Sequence, residues 1–141
     1  MARTPHDVIA DFLPAMASND RSVLLAVLAE DMVWHTPPST IPEFRGPHRG
    51  RAAALELIGG AGSSLFVRGS QRVEIEHVIA EGELAAAQFR QVARTTAGRD
   101  YDNLYAFFFR VRDGRIQELW ENTDTAYALA MFDRNAASWL L

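Results

Sequence analysis

From residue 72 to residue 123 the side chains alternate with a period of two, and this pattern leaves few folds open to the chain. Four runs carry it: "RVEIEHVIAE", "LAAAQFRQVAR", "YDNLYAFFFRV" and "IQELWENT". The segments between them, "EGE", "TTAGRD" and "RDGR", are too short for a crossover helix, so the four strands form an antiparallel meander. "RDGR" carries the Asp-Gly pair of a two-residue hairpin turn.

The chain before Leu65 has helical spacing. Val8, Ile9, Phe12, Leu13 and Met16 make one apolar stripe over residues 5–18, with Pro14 set to kink or break that helix. Asp20 is placed to N-cap a second helix, "RSVLLAVLAED". "MVWHTPP" is a short strand ended by its prolines, and "STIPEFRGPHRG" reads as loop. "RAAALELI" is a third helix, stopped by Gly59-Gly60. Helical spacing returns in "DTAYALAMF". Helices first and strands afterwards predict an α+β domain over residues 1–141, with three N-terminal helices covering one face of a curved sheet and a short helix at its C-terminal end.

Charge and composition exclude several functions. A formal net charge of −4 and one short, Gly/Pro-broken basic segment argue against a nucleic-acid surface. With no cysteine there can be no disulfide, thiolate metal site or cysteine nucleophile. No His-x-His or His-Glu-x-x-His spacing, Gly-rich phosphate loop or Gly-x-Ser-x-Gly elbow is present, so no metal and no cofactor are expected. No window reaches the roughly 20 apolar residues of a membrane span, and no signal peptide is visible, which makes the cytoplasm the expected location.

Three stretches carry a resemblance: "LAEDMVWHTP", "FRGPHRGRAAALELI", and the hairpin "YDNLYAFFFRVRDGRIQELWENTD". In order and spacing the chain resembles the nuclear transport factor 2-like superfamily, in its SnoaL-like and ketosteroid-isomerase-related branch. The resemblance implies a cone-shaped, antiparallel or mixed sheet enclosing a cavity beneath the helices. It also implies a small hydrophobic ligand and a homodimer paired through the outer sheet face. Two known mechanisms of the superfamily do not carry over. In the epoxide-hydrolase pattern only Asp124 matches, with Gln88 where an Arg and Arg90 where a second Asp would stand. In the isomerase pattern Thr36 replaces the carboxylate base, and Phe107 replaces the oxyanion-hole acid.

Alternation then proposes the site. Tyr101, Asn103, Tyr105, Phe107 and Phe109 share one face of their strand. On the last strand Glu118, Trp120, Asn122 and Asp124 share one face, and Gln117, Leu119, Glu121 and Thr123 the other. The first of these two sets is expected to turn inward. Asp124 is then the candidate general acid or base, oriented by Arg90, with His35 near the rim as a further proton-transfer candidate. Asp124 is equally well placed to N-cap the C-terminal helix. Trp34, Thr36, Gln88, Asn103, Tyr105, Phe107, Trp120 and Asn122 are the candidate substrate contacts. The reaction expected is cofactor-independent acid/base proton transfer (isomerisation, cyclisation, dehydration or hydrolysis) on a small hydrophobic molecule. The alternative is a non-catalytic binding or dimerisation domain of the same fold. A cavity below roughly 300 Å³ would argue against drug-sized ligands. The tail "AYALAMFDRNAASWLL" would cap the cavity mouth or pack on a partner.

Overall fold

The computed structural model describes residues 3–132, apart from the side chains of residues 61–63. The last nine residues of the apolar tail therefore lie outside the described residues. Helix α1 (Pro5–Ser18) opens with a capping box, in which Thr4 and Asp7 each accept from the other's backbone N–H. It runs unbroken through Pro14, so the proline does not end the helix. Proline removes one intrahelical hydrogen bond, and the buried stripe of Val8, Ile9, Phe12, Leu13 and Ala15 anchors the helix on both sides of that gap. Asp20 caps α2 (Arg21–Val27) through the Val23 N–H, as its position predicts.

The second helix is shorter than its apolar pattern suggested. Leu28 is already extended, and "LAED" belongs to strand β1 (Leu28–His35). The segment read as loop contains a two-residue strand, β2 (His48–Arg49), paired with Val33 and Trp34. Helix α3 (Arg51–Glu56) passes through a wider π turn into α4 (Gly62–Leu65) rather than stopping at Gly59-Gly60. The meander follows as β3 (Arg72–Glu81), β4 (Leu84–Arg94), β5 (Asp100–Arg112) and β6 (Arg115–Thr123), and α5 (Thr125–Phe132) closes the described chain.

The strands form one six-stranded sheet in the order β2-β1-β6-β5-β4-β3. All neighbours are antiparallel except β1 and β6, which run parallel, so the sheet is mixed. Helix α1 lies across the concave face. The Phe12 ring meets Trp34 of β1 and Phe109 of β5 edge-on at 6.0 and 5.9 Å. Together these rings close the narrow end of a cone whose walls are the strands.

One irregularity decides which side chains enter that cone. Asp113 and Gly114 both have positive φ, the geometry of a two-residue primed turn, and Arg112 faces Arg115 across it. Val111 faces Ile116, but Arg110 faces Glu118, so Gln117 is an extra residue on β6. Beyond this bulge Phe109 opposes Leu119, Phe107 opposes Glu121 and Tyr105 opposes Thr123. Without the bulge Phe107 would oppose Trp120 and Tyr105 would oppose Asn122, which is the register that strict alternation assumes. A shift of one residue moves every side chain to the other face. Gln117→Ala keeps the extra residue and is expected to unfold within about 0.5 kcal/mol of wild type. Deleting Gln117 drives Trp120 and Asn122 inward and is expected to abolish cooperative thermal unfolding. A deletion variant that melts like wild type in circular dichroism would contradict this account.

Candidate active site in the cone

The corrected register gives β6 an inward face of Leu119, Glu121 and Thr123, in place of Trp120, Asn122 and Asp124. Trp34 and Thr36 from β1 and its exit, and Tyr105 and Phe107 from β5, line the same cavity. The cavity encloses about 90 Å³, and the recess with its open mouth included holds about 700 Å³ of non-atom space. The enclosed volume is under the 300 Å³ expected of a drug-sized site and under the roughly 150 Å³ of a void that admits benzene. A ligand larger than a few heavy atoms therefore enters by displacing side chains such as Met16, Phe44 and Phe132, which also line the recess.

Glu121 is the ionisable group of this wall. Its Oε1 accepts a hydrogen bond from the Trp34 indole Nε1 at 3.0 Å. Among the described residues no other hydrogen bond reaches the carboxyl, which leaves Oε2 free. Removal from water pushes its pKa up from 4.5 to about 7, against a smaller lowering by the Trp34 donor. Among the described residues no lysine or arginine lines the cavity to hold the charge.

Beside Glu121 runs a chain of hydrogen-bonded side chains anchored by Asn103. Asn103 Nδ2 donates to the Asp124 backbone carbonyl at 3.1 Å and to Tyr101 Oη at 3.0 Å, while Oδ1 accepts from the Leu104 N–H. The carbonyl can only accept and the N–H only donate, so the Asn103 amide has one orientation. Tyr101 is fully buried, receives the Asn103 donor, and lies 2.6 Å from Tyr105 Oη, a contact in which either hydroxyl can donate. With Tyr101 as the donor, the Tyr105 proton is available to an oxygen in the cavity. Burial raises the Tyr101 pKa to about 12 and that of Tyr105 well above its ordinary value, so both stay protonated donors. Nearer the mouth, Thr36 Oγ1 is buried with no hydrogen-bond partner among the described residues.

The other sequence candidates lie elsewhere. Arg90 is on the outer face, paired with Asp102 at 2.9 Å, and does not meet Asp124. The Asp124 carboxylate accepts from the Tyr127 N–H at 3.0 Å and N-caps α5. Gln88 and Asn122 oppose the outward-facing Ala106, and Trp120 opposes Phe108. His35 stacks on Trp120 and holds Glu118 Oε2 at 2.6 Å on that same outer side. The face chosen for β6 accounts for Trp120, Asn122 and Asp124, whereas Gln88 and Arg90 entered through the family correspondence and His35 through the proline-rich exit of its strand. The sequence did hold a signal. Ile116 and Leu119 are both buried and stand three apart, opposite Val111 and Phe109, which stand two apart.

A mixed sheet wrapped under helices around a mostly apolar cavity defines the class of cone-shaped α+β proteins. Residues 9–119 match the model of the SnoaL-like domain, and the chain belongs to that family. Among solved structures it is similar to an NTF2-like protein from Burkholderia pseudomallei K96243, with TM-score 0.80, 20% identity, and 90% of this chain and 95% of that one covered. It is also similar to wild-type IdmH, a candidate polyketide cyclase from Streptomyces antibioticus, with TM-score 0.75, 24% identity, and 92% and 98% covered. An NTF2-like protein from Burkholderia xenovorans LB400 has TM-score 0.69 and 27% identity, with 89% and 93% covered. No curated protein matches the chain significantly. No helix among the described residues is long and apolar enough to cross a membrane.

The raised pKa of Glu121 fixes a pH dependence of stability. Between pH 4.5 and about 7 the unfolded chain has lost this proton while the folded chain keeps it, so stability falls as pH rises through that window. Above it the penalty is on the order of 2–3 kcal/mol. Glu121→Gln keeps the Trp34 acceptor and removes the penalty. In urea unfolding it is expected to exceed wild type by about that amount at pH 8 and to match it at pH 4.5. Equal stabilities at pH 8 would refute a desolvated Glu121.

Proposed function

We propose that this SnoaL-like chain is a cofactor-independent proton-transfer enzyme, with Glu121 as its general base. The substrate is a small neutral molecule bearing an acidic C–H α to a carbonyl, whose oxygen receives the electron pair as an enolate. The observation that carries the reading is the Glu121 carboxylate on the cavity wall. It is anchored by Trp34 through one oxygen, has the other free, and is buried enough to raise its pKa to about 7. A carboxyl with that pKa both accepts and returns a proton near neutral pH. The C–H bond breaks, its electron pair moves toward the neighbouring oxygen, and Glu121 takes the proton and delivers it to another position. Tyr105, kept protonated by burial, donates to the oxygen as charge develops there. Thr36 is the second donor within the recess. The acidic wall, with no basic side chain among the described residues that line it, favours a neutral substrate over an anion. The candidate cyclase activity named for IdmH is compatible with such chemistry.

Asp124, Arg90 and His35 have no part in this mechanism, since their side chains are engaged outside the cavity. The test is hydrogen exchange at the α-carbon of a compact ketone, cyclopentanone, in D₂O followed by NMR. The rate should rise through pH 7 to a plateau. It should fall by about 10²–10⁴-fold in Glu121→Gln and remain at the wild-type level in Asp124→Asn. Equal rates in wild type and Glu121→Gln would overturn the reading. The small enclosed volume favours a second reading, a non-catalytic module of the same fold, for which exchange would show no dependence on Glu121 at any pH.

The homodimer remains part of the proposal. Ile79, Leu84 and Phe108 are 69%, 51% and 53% exposed on the outer sheet face, where they would form the apolar centre of an interface. Phe108→Asp is expected to convert a dimer into a monomer in sedimentation velocity. A wild-type chain that sediments as a monomer at high micromolar concentration removes the dimer.

A further inference from the structure

The cavity has a second polar end that the proton-transfer reading leaves unused. Gln91 of β4 is only 9% exposed and opposes Asn103 of β5, whereas Glu121 opposes Phe107. The two ends are thus four residues apart along β5, roughly 13 Å of strand. Gln91 Nε2 donates to Gln71 Oε1 at 2.8 Å, and both side chains line the same cavity as Glu121. Two amides can close a ring with two hydrogen bonds, and this pair makes one. Gln91 Oε1 and Gln71 Nε2 make no other side-chain hydrogen bond among the described residues. Exchanging O and N in both amides still leaves one acceptor and one donor, so the chemistry does not depend on how each amide is assigned.

We propose that the Gln71–Gln91 pair is a recognition subsite for a lactam or primary carboxamide edge. A ligand carbonyl would accept from the free N–H of one glutamine, and the adjacent ligand N–H would donate to the free oxygen of the other. This closes the ring that the two glutamines leave open. A neutral amide edge suits the site on three counts. It matches the donor–acceptor pair in number, it brings no charge into a recess that no lysine or arginine lines among the described residues, and it satisfies polar groups that an apolar ligand would strand. The subsite rests on the cavity being the ligand site, as proposed above, and is independent of proton transfer at Glu121. It makes the substrate bifunctional, with an amide edge at the β4 end and the acidic C–H at the β6 end.

The probes are 2-pyridone, which carries the edge, and N-methyl-2-pyridone, which has lost its donor. Both are titrated by NMR into wild type, Gln91→Leu, Gln71→Leu and Glu121→Gln. Wild type should prefer 2-pyridone by about tenfold, since the methylated probe cannot donate to the free glutamine oxygen that it covers. The preference should fall to near one in either leucine variant and persist in Glu121→Gln. A wild-type ratio near one, absence of binding by both probes, or a preference lost in Glu121→Gln and kept in Gln91→Leu would each overturn the subsite. If ketone exchange fails while the probe preference holds, the mechanism falls and the subsite stands.

Discussion

The pairing of β5 with β6, and the single extra residue Gln117 within it, is the constraint on which the rest of this structure depends. The turn at Asp113-Gly114 sets where pairing begins, and the bulge decides which face of β6 meets the cone. Leu119 joins Phe12, Trp34 and Phe109 in the closed end, while Trp120 goes to the outer face against His35. The same shift brings Glu121 beneath the Trp34 indole, a contact between residues 87 positions apart in sequence. Fold and candidate chemistry therefore follow from one local insertion.

Glu121 opposes folding at neutral pH, because the unfolded chain solvates its charge and the cavity does not. A leucine in its place would bury apolar surface without that cost. Trp34 relieves the carboxyl by one hydrogen bond and leaves the other oxygen bare, which is half the satisfaction that a structural buried acid usually finds. Thr36 Oγ1 is buried without a partner among the described residues and lines the same recess.

Much of the fold was legible in the sequence. The switch from helical to alternating period, the Asp-Gly turn and the Asp20 cap are local signals, and each corresponds to the element found. The parallel partnership of β1 with β6 and the two-residue β2 depend on long-range pairing, which short polar segments do not announce. The site was legible in part. Trp34, Thr36, Tyr105 and Phe107 sit on strands whose inward face alternation assigns, and they line the cavity. Glu121 was missed because alternation carries no memory of a bulge, and because Asp124 is a more conspicuous acid at the same strand end. Its carboxylate serves the backbone of α5 instead.

The enclosed volume of about 90 Å³ and the pKa of about 7 belong to the same physical state. On the proposed reading, a ligand that spread Met16, Phe44 and Phe132 would desolvate Glu121 further and raise the cost of its charge. The carboxylate would then be a stronger base with the ligand against it. In the proposed mechanism the Tyr105 hydroxyl is the compensating dipole, since it would favour negative charge on the ligand oxygen once the proton has moved. A cavity lined by lysine or arginine would hold Glu121 ionised and weak, and the tyrosines alone would stabilise an anion without forming one. The acid wall and the hydroxyl chain are useful only together, and the β5–β6 register is what sets them side by side.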